Sequence, residues 1–201
     1  MKIERLSILK KNNPNIVNVE LDNGQYVVLH SEIIVKNCLS KNSEITQSKL
    51  NTFISESNVL FATACIIKYL SNKIKSTKQI YTYLASKGYD EEVIETVMQK
   101  LKEYKIADDQ KYAAAVVKQN QKANSSMQIK VKLIKENIDK NIITEATQNL
   151  DDFSLACKLA EKYFKNKDYT EQNIQKFVNH LHYKGFDWET ISKVLSRLKE
   201  Q

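Results

Sequence analysis

Set against itself with an offset of 97 positions, the chain repeats. Leu84-Ala85-Ser86-Lys87-Gly88-Tyr89-Asp90, followed by Ile94 and Leu101, returns as Leu181-His182-Tyr183-Lys184-Gly185-Phe186-Asp187, followed by Ile191 and Leu198. An offset of 49 lands on a middle copy at Leu133, Ile138, Asp139, Ile143 and Leu150, with Asn137 in place of the glycine. Three copies of one unit constrain the fold more than any composition figure. A unit this short cannot bury its apolar face alone, so each copy must lean on its neighbours in a tandem array.

The punctuation inside each copy gives its local structure. Gly88 and Gly185 can take the left-handed conformation that ends a helix, with Asn137 the next best residue for it, and Asp90, Asp139 and Asp187 can cap the helix that follows. Ser76-Thr77-Lys78-Gln79 and Ser125-Ser126-Met127-Gln128 have the Ser-x-x-Gln form of a capping box, and Thr170-Glu171-Gln172-Asn173 is a looser version. One more helix precedes each of these, starting near Ser57, at Asp108-Asp109 and at Asp151-Asp152. Apolar residues at helical spacing, such as Val93, Ile94, Val97, Met98 and Leu101, give each helix one face to bury.

The first thirty residues differ. Ile16–Leu21 and Gln25–His30 are β-rich runs around Asp22-Asn23-Gly24, where Asn23-Gly24 supplies the positive φ angles of a tight turn. Ser31–Asn37 and Ser43–Ile54 read as short helices. The expected fold is therefore mainly α, with three tandem three-helix repeats in an elongated curved array behind a small N-terminal β-hairpin/helix extension. The expected divisions are 1–56 for the extension and 57–107, 108–150 and 151–201 for the repeats. Three glycines and one proline in 201 residues fit this reading and leave no material for phosphate-cradling glycine loops.

Catalytic chemistry finds little support. Asp108-Asp109 and Asp151-Asp152 sit where helices start, where carboxylates cap free amides and complement the helix dipole, so capping explains them better than metal binding. His180 and His182 are two apart on a helix, about 200° around its axis, and cannot share a ligand position. Cys38, Cys65 and Cys157 are widely spaced among apolar neighbours and read as reduced core thiols. The aromatic residues Tyr69, Tyr81, Tyr83, Tyr89, Tyr104, Tyr112, Phe164, Phe186 and Trp188 mostly fall at core or repeat positions, with Trp188 closing the last repeat. No cofactor, metal or enzymatic role is expected. Met1-Lys2-Ile3-Glu4-Arg5 has no apolar signal core, and the most apolar stretch, Val59–Leu70, is short and interrupted by Lys68, so a cytoplasmic protein without a membrane role is expected.

The net charge is +7 with a pI of about 9.1, which biases the protein toward polyanionic partners. The charge is also clustered. Between positions 110 and 147 seven lysines stand against Glu136, Asp139 and Glu145. Lys73, Lys75, Lys78, Lys118, Lys122, Lys130, Lys132 and Lys135 are the candidate contacts, able to meet DNA phosphates or an acidic protein surface.

Tyr69-Leu70, Lys73-Ile74-Lys75-Ser76, Leu84 with Lys87-Gly88-Tyr89-Asp90, Leu101, Ile106-Ala107-Asp108-Asp109, and finally Lys184-Gly185-Phe186 with Leu195 follow one another in an order that resembles the RecX family of recombination regulators. The resemblance implies a non-enzymatic protein that binds RecA, the DNA recombinase, in the groove of its filament on DNA. It also implies slower filament extension, ATP hydrolysis and strand exchange, and contact with single- or double-stranded DNA through phosphates. Lys73 and Lys75 stand where the family carries arginines, which keeps the charge but loses the bidentate fork. A monomer is the default. The alternative reading is a helical DNA-binding transcriptional regulator, since a trihelical unit can place a recognition helix in the major groove. A protein scaffold without a DNA role is a third reading, separable by salt dependence.

Overall fold

The computed structural model describes residues 1–10, 13–71 and 73–199. Among them are ten helices, which hold most of the chain, and one three-stranded sheet. The chain divides into two compact units, Met1–Lys73 with Gln79–Ala107, and Ile74–Lys78 with Asp108–Gln201.

In the first unit, β1 (Ile3–Lys10), β2 (Asn13–Leu21) and β3 (Tyr26–His30) form an antiparallel sheet in the order β1-β2-β3. The expected hairpin is β2–β3, pairing Glu20 with Tyr26 and Ile16 with His30. Of the turn residues only Gly24 has a positive φ, at 78°. Asn23 contributes through its side chain instead, its Oδ1 accepting from the Gln25 N–H at 3.0 Å. β1 is an addition to that expectation. Register shifts between Ile3 and Arg5 and between Ile8 and Lys10 break its alternation, and Ile8 is exposed, so the period-two signal of a half-buried strand is missing from its sequence.

The sheet's inner face carries Ile3, Val19, Leu21 and Leu29, all fully buried against α1 (Ser31–Lys36) and α2 (Gln47–Leu70) through Ile33, Leu50 and Phe53. His30 ends β3 and starts α1. Its Nδ1 accepts from the Glu32 N–H at 3.2 Å, and its own N–H donates to the buried Ser57 hydroxyl at 3.0 Å. α2 corrects the sequence reading. It is one helix of 24 residues, so the helix expected to start near Ser57 is the second half of a longer one. No glycine or proline interrupts the run, and its apolar residues serve two neighbours. Leu50 and Phe53 face the sheet, while Val59, Ala62 and Ile66 join the core made with α3 (Thr77–Ser86) and α4 (Glu91–Glu103). By length and composition α2 could cross a membrane, and 33% of its apolar window is buried inside the protein.

The second unit contains α5 (Asp109–Asn120), α6 (Ser126–Lys135), α7 (Lys140–Thr147), α8 (Asp152–Phe164), α9 (Glu171–Tyr183) and α10 (Trp188–Lys199). The first three close over Ala113, Ile129, Leu133, Ile138 and Ile143. The last three close over a larger core that includes Phe164, Phe177, Leu181, Phe186 and Ile191. The repeat punctuation is observed at each copy. Gly88, Asn137 and Gly185 have φ of 81°, 56° and 78°. Beyond each, Tyr89, Ile138 and Phe186 donate their N–H to the carbonyls of Leu84, Leu133 and Leu181, which is the 6→1 closure of a Schellman helix end.

Three expectations need correction. Asp90 stands at the N-cap of α4 but its carboxylate makes no capping hydrogen bond, whereas Asp139 and Asp187 accept from Asn141 and Thr190. Cys38 is exposed rather than core, at a turn with φ of 50°, while Cys65 is half-buried with its Sγ donating to the Tyr83 hydroxyl and Cys157 is buried. Trp188, Tyr104 and Tyr81 are exposed, Trp188 at 68%, so the aromatic after Asp187 does not pack over the last turn.

Candidate functional site

Within the second unit one hydrogen-bonded pattern occurs twice. Asp108 and Asp151 cap their own helices, accepting the N–H groups of Lys111 and Ser154 at 3.0 Å. These backbone bonds hold the Asp108 carboxyl below the usual range, and for Asp151 the Ser154 hydroxyl leads, with its N–H second. The second aspartate of each pair reaches away from its own helix. Asp109 accepts the Thr77 N–H at 2.8 Å, and Asp152 accepts the Ser126 N–H at 2.8 Å and its hydroxyl at 2.7 Å. Thr77 and Ser126 are the first residues of α3 and α6, so each acidic pair caps two helices, one of them in the preceding repeat.

The same two helix starts also grip the end of the next repeat's middle helix. The buried Ser76 hydroxyl donates to Glu136 Oε2 at 2.8 Å, and Lys78 Nζ donates to the Lys135 carbonyl at 2.7 Å. One repeat later, the buried Ser125 hydroxyl donates to the Gly185 carbonyl and Gln128 Nε2 to the Tyr183 carbonyl, both at 2.7 Å. The second capping box is therefore only half formed. Ser125 Oγ accepts the Gln128 N–H, but the Gln128 side chain bonds Tyr183, and the Ser125 N–H donates to the Lys184 carbonyl.

Two of the candidate lysines make hydrogen bonds within or beside this pattern. Lys78 is a structural tie. Lys132 is bonded through Nζ to Asn120 Oδ1 at the end of α5. Lys130, Lys132 and Lys135 share α6 but not a face, since Lys130 lies about 200° around the axis from Lys132 and about 140° from Lys135. Lys130 and Lys75 are half-buried, whereas Lys73, Lys118, Lys122 and Lys135 are exposed.

Another concentration of positive charge lies elsewhere in this unit. A groove of about 560 Å³ is lined by Lys122 and Ala123 from the α5–α6 turn, Leu159, Lys162 and Tyr163 from α8, Asn166 and Lys167 beyond it, His180 from α9 and Lys184 at its C-cap. No carboxylate lines it. Lys184 Nζ donates to the Ala123 carbonyl at 2.8 Å, fixing that side chain across the groove, and Lys167 Nζ sits 3.8 Å over the Tyr163 ring. Burial, then Lys184 and Lys167, lower the His180 pKa from its ordinary value. Of these lysines the sequence singled out only Lys122. Lys162 and Lys167 belong to a short lysine cluster with Lys165, but Lys122 and Lys184 lie far from it in the chain, so the sequence does not show that the four share a groove. Among the described residues, no group of three or more His, Cys, Asp or Glu side chains could hold a metal ion.

Comparisons with known proteins agree with this architecture. A family model described as the first three-helix domain of RecX matches residues 62–101, and one for the third three-helix domain matches residues 150–195. A regulatory protein RecX from Clostridium botulinum (strain Alaska E43 / Type E3) is 30% identical over 96% of this chain and 94% of its own length. The chain belongs to the RecX family. A second relative of the same name, from Clostridioides difficile (strain 630), is 30% identical over 94% of the chain and 92% of its own length. The crystal structure of a regulatory protein RecX superposes with a TM-score of 0.72 at 23% identity, covering 97% of this chain and 98% of that one. RecX from Lactobacillus salivarius gives a TM-score of 0.65 at 24% identity, covering 73% of this chain and 99% of that one. The relatives are named as regulatory proteins.

Proposed function

We propose that this RecX-family chain regulates the RecA recombinase by binding RecA and its nucleoprotein filament, and that it limits filament extension, ATP hydrolysis and strand exchange without being an enzyme. The observation that carries the reading is similarity over 96% of the chain to a protein named regulatory protein RecX. The sequence resemblance supplies RecA as the partner. In this reading the protein acts as a cytoplasmic monomer, needs no cofactor, and its excess of basic residues lets it meet DNA phosphates as well as the recombinase. Lys73, Lys118, Lys122 and Lys135 are the candidate lysines whose exposure suits such contacts. Tandem repeats offer several weak contacts at once, which add by avidity along a polymeric partner.

The test is the single-stranded-DNA-dependent ATPase rate of the cognate RecA with this protein titrated in. A fall in rate well below one copy per RecA supports the reading. No effect at stoichiometric levels, together with tight binding to one particular duplex, transfers the case to a transcriptional regulator.

A further inference from the structure

We propose that the groove of Lys122, Lys162, Lys167, Lys184 and His180 seats the phosphodiester backbone of a single strand of nucleic acid. The proposal rests on the reading that the protein meets nucleic acid, and it locates that meeting point away from the lysine-rich helix α6.

Three observations converge. Four ammonium groups line one concavity with no carboxylate among the lining residues, so they repel one another and nothing in the lining neutralises them. An anion entering the groove relieves that repulsion. The groove is also built rather than incidental, since Lys184 is tied to the Ala123 carbonyl and Lys167 is parked over Tyr163, which holds two of the charges in place before a ligand arrives. The third observation concerns the kind of anion. Lysine is a point charge suited to phosphate oxygens and lacks the planar fork that pairs with carboxylates. An acidic peptide would also need an apolar anchor. Here the one aromatic ring has a lysine on it, and the only apolar side chains in the lining are Leu159 and Ala123.

The strandedness follows from shape. The charges line a concavity of about 560 Å³ between helices. A duplex is too wide to bring its phosphates into such a space, whereas the backbone of one strand can follow it. With Lys167 over Tyr163, the strand is held through its phosphates without base stacking, so binding is indifferent to base sequence.

The experiment is fluorescence anisotropy of a labelled oligo(dT) strand against the full chain over a salt series, with no RecA present. The groove variant is Lys162→Glu with Lys167→Glu, both at exposed positions, and the charge-matched control is Lys102→Glu with Lys140→Glu, outside the groove. Far-UV circular dichroism verifies that both variants fold. The wild-type affinity should fall steeply with salt. The groove variant should bind at least about tenfold more weakly than the control at low salt, with the log–log salt slope reduced by about 0.7 for each phosphate that is no longer neutralised. Equal weakening in groove variant and control overturns the groove as the site while leaving DNA binding intact. A wild-type protein that binds no strand, yet slows RecA, overturns the proposal but not the regulatory reading. Competition by inorganic phosphate or poly-glutamate as effective as by unlabelled oligo(dT) at equal charge also overturns it, in favour of a small-anion or acidic-protein site.

Discussion

Gly185 is where the repeat junction can be broken with one methyl group. Its φ of 78° is one that a residue with a side chain rarely adopts, and a Cβ there would lie 2.7 Å from Gln128 Cγ and 2.9 Å from Ser125 Oγ. Gly88 holds the equivalent place in the first repeat, with φ of 81°, and a Cβ there meets nothing within 4 Å. The pair separates two costs. Gly88→Ala should incur only the left-handed strain, about 1–2 kcal/mol. Gly185→Ala carries the same strain and also displaces two side chains. Gln128 must give up the Tyr183 carbonyl, and the fully buried Ser125 hydroxyl loses its hold on the Gly185 carbonyl, a further loss of about 1–3 kcal/mol when a buried polar group is left unsatisfied. Urea unfolding followed by far-UV circular dichroism measures both. A second arm repeats Gly185→Ala in a Ser125→Ala background, where one of the two clashes is already removed and the extra cost should shrink. The reasoning is refuted if Gly185→Ala costs no more than Gly88→Ala, or if the Ser125→Ala background leaves its cost unchanged.

Asp152→Ala removes the acceptor of both the Ser126 N–H and its hydroxyl and should destabilise by about 1.5–3 kcal/mol, with Asp109→Ala acting in the same direction, both read by urea unfolding. Asp108, Asp151 and Asp187 have pKa values lowered from about 3.8 by hydrogen bonds from their own helices. Because the folded values are the depressed ones, their stabilisation is fully present above that value and is lost as the pH falls through the folded values. An acid titration of ellipticity should therefore show a transition below about pH 4 that weakens when all three are replaced by Asn. Lys78→Glu should lower both RecA inhibition and the melting temperature, since Lys78 Nζ holds the Lys135 carbonyl, whereas Lys73→Glu with Lys118→Glu should lower inhibition alone. Thermal melts alongside the ATPase assay distinguish the two cases.

The helix ends were the most legible part of the fold, because left-handed residues and caps act within a few positions of chain. Gly88, Asn137 and Gly185 announce themselves by residue type, and the Leu-x-x-x-Gly spacing around Gly88 and Gly185 sets the closure that follows. β1 was not legible, because its two register shifts erase the alternation that identifies a strand. The extent of α2 was hidden for the opposite reason. Its apolar residues serve two cores in succession, so the sequence shows a change of pattern at residues 54–57 without a break in the helix. The acidic pairs were read correctly as caps, but a second aspartate capping a helix more than 25 positions away leaves no local trace. The basic groove escaped for the same reason. Lys122 and Lys184 join Lys162 and Lys167 only after α5, α8 and α9 have packed, whereas the lysine run of α6 is dense in sequence and dispersed around its helix.

The most direct test of the regulatory account is to watch RecA filaments grow on single-stranded DNA by electron microscopy, with this protein added at a small fraction of the RecA concentration after nucleation. The account predicts filaments that stop short in proportion to the protein added, with the uncovered DNA bare of RecA. Filaments of unchanged length and coverage at equimolar protein would contradict it.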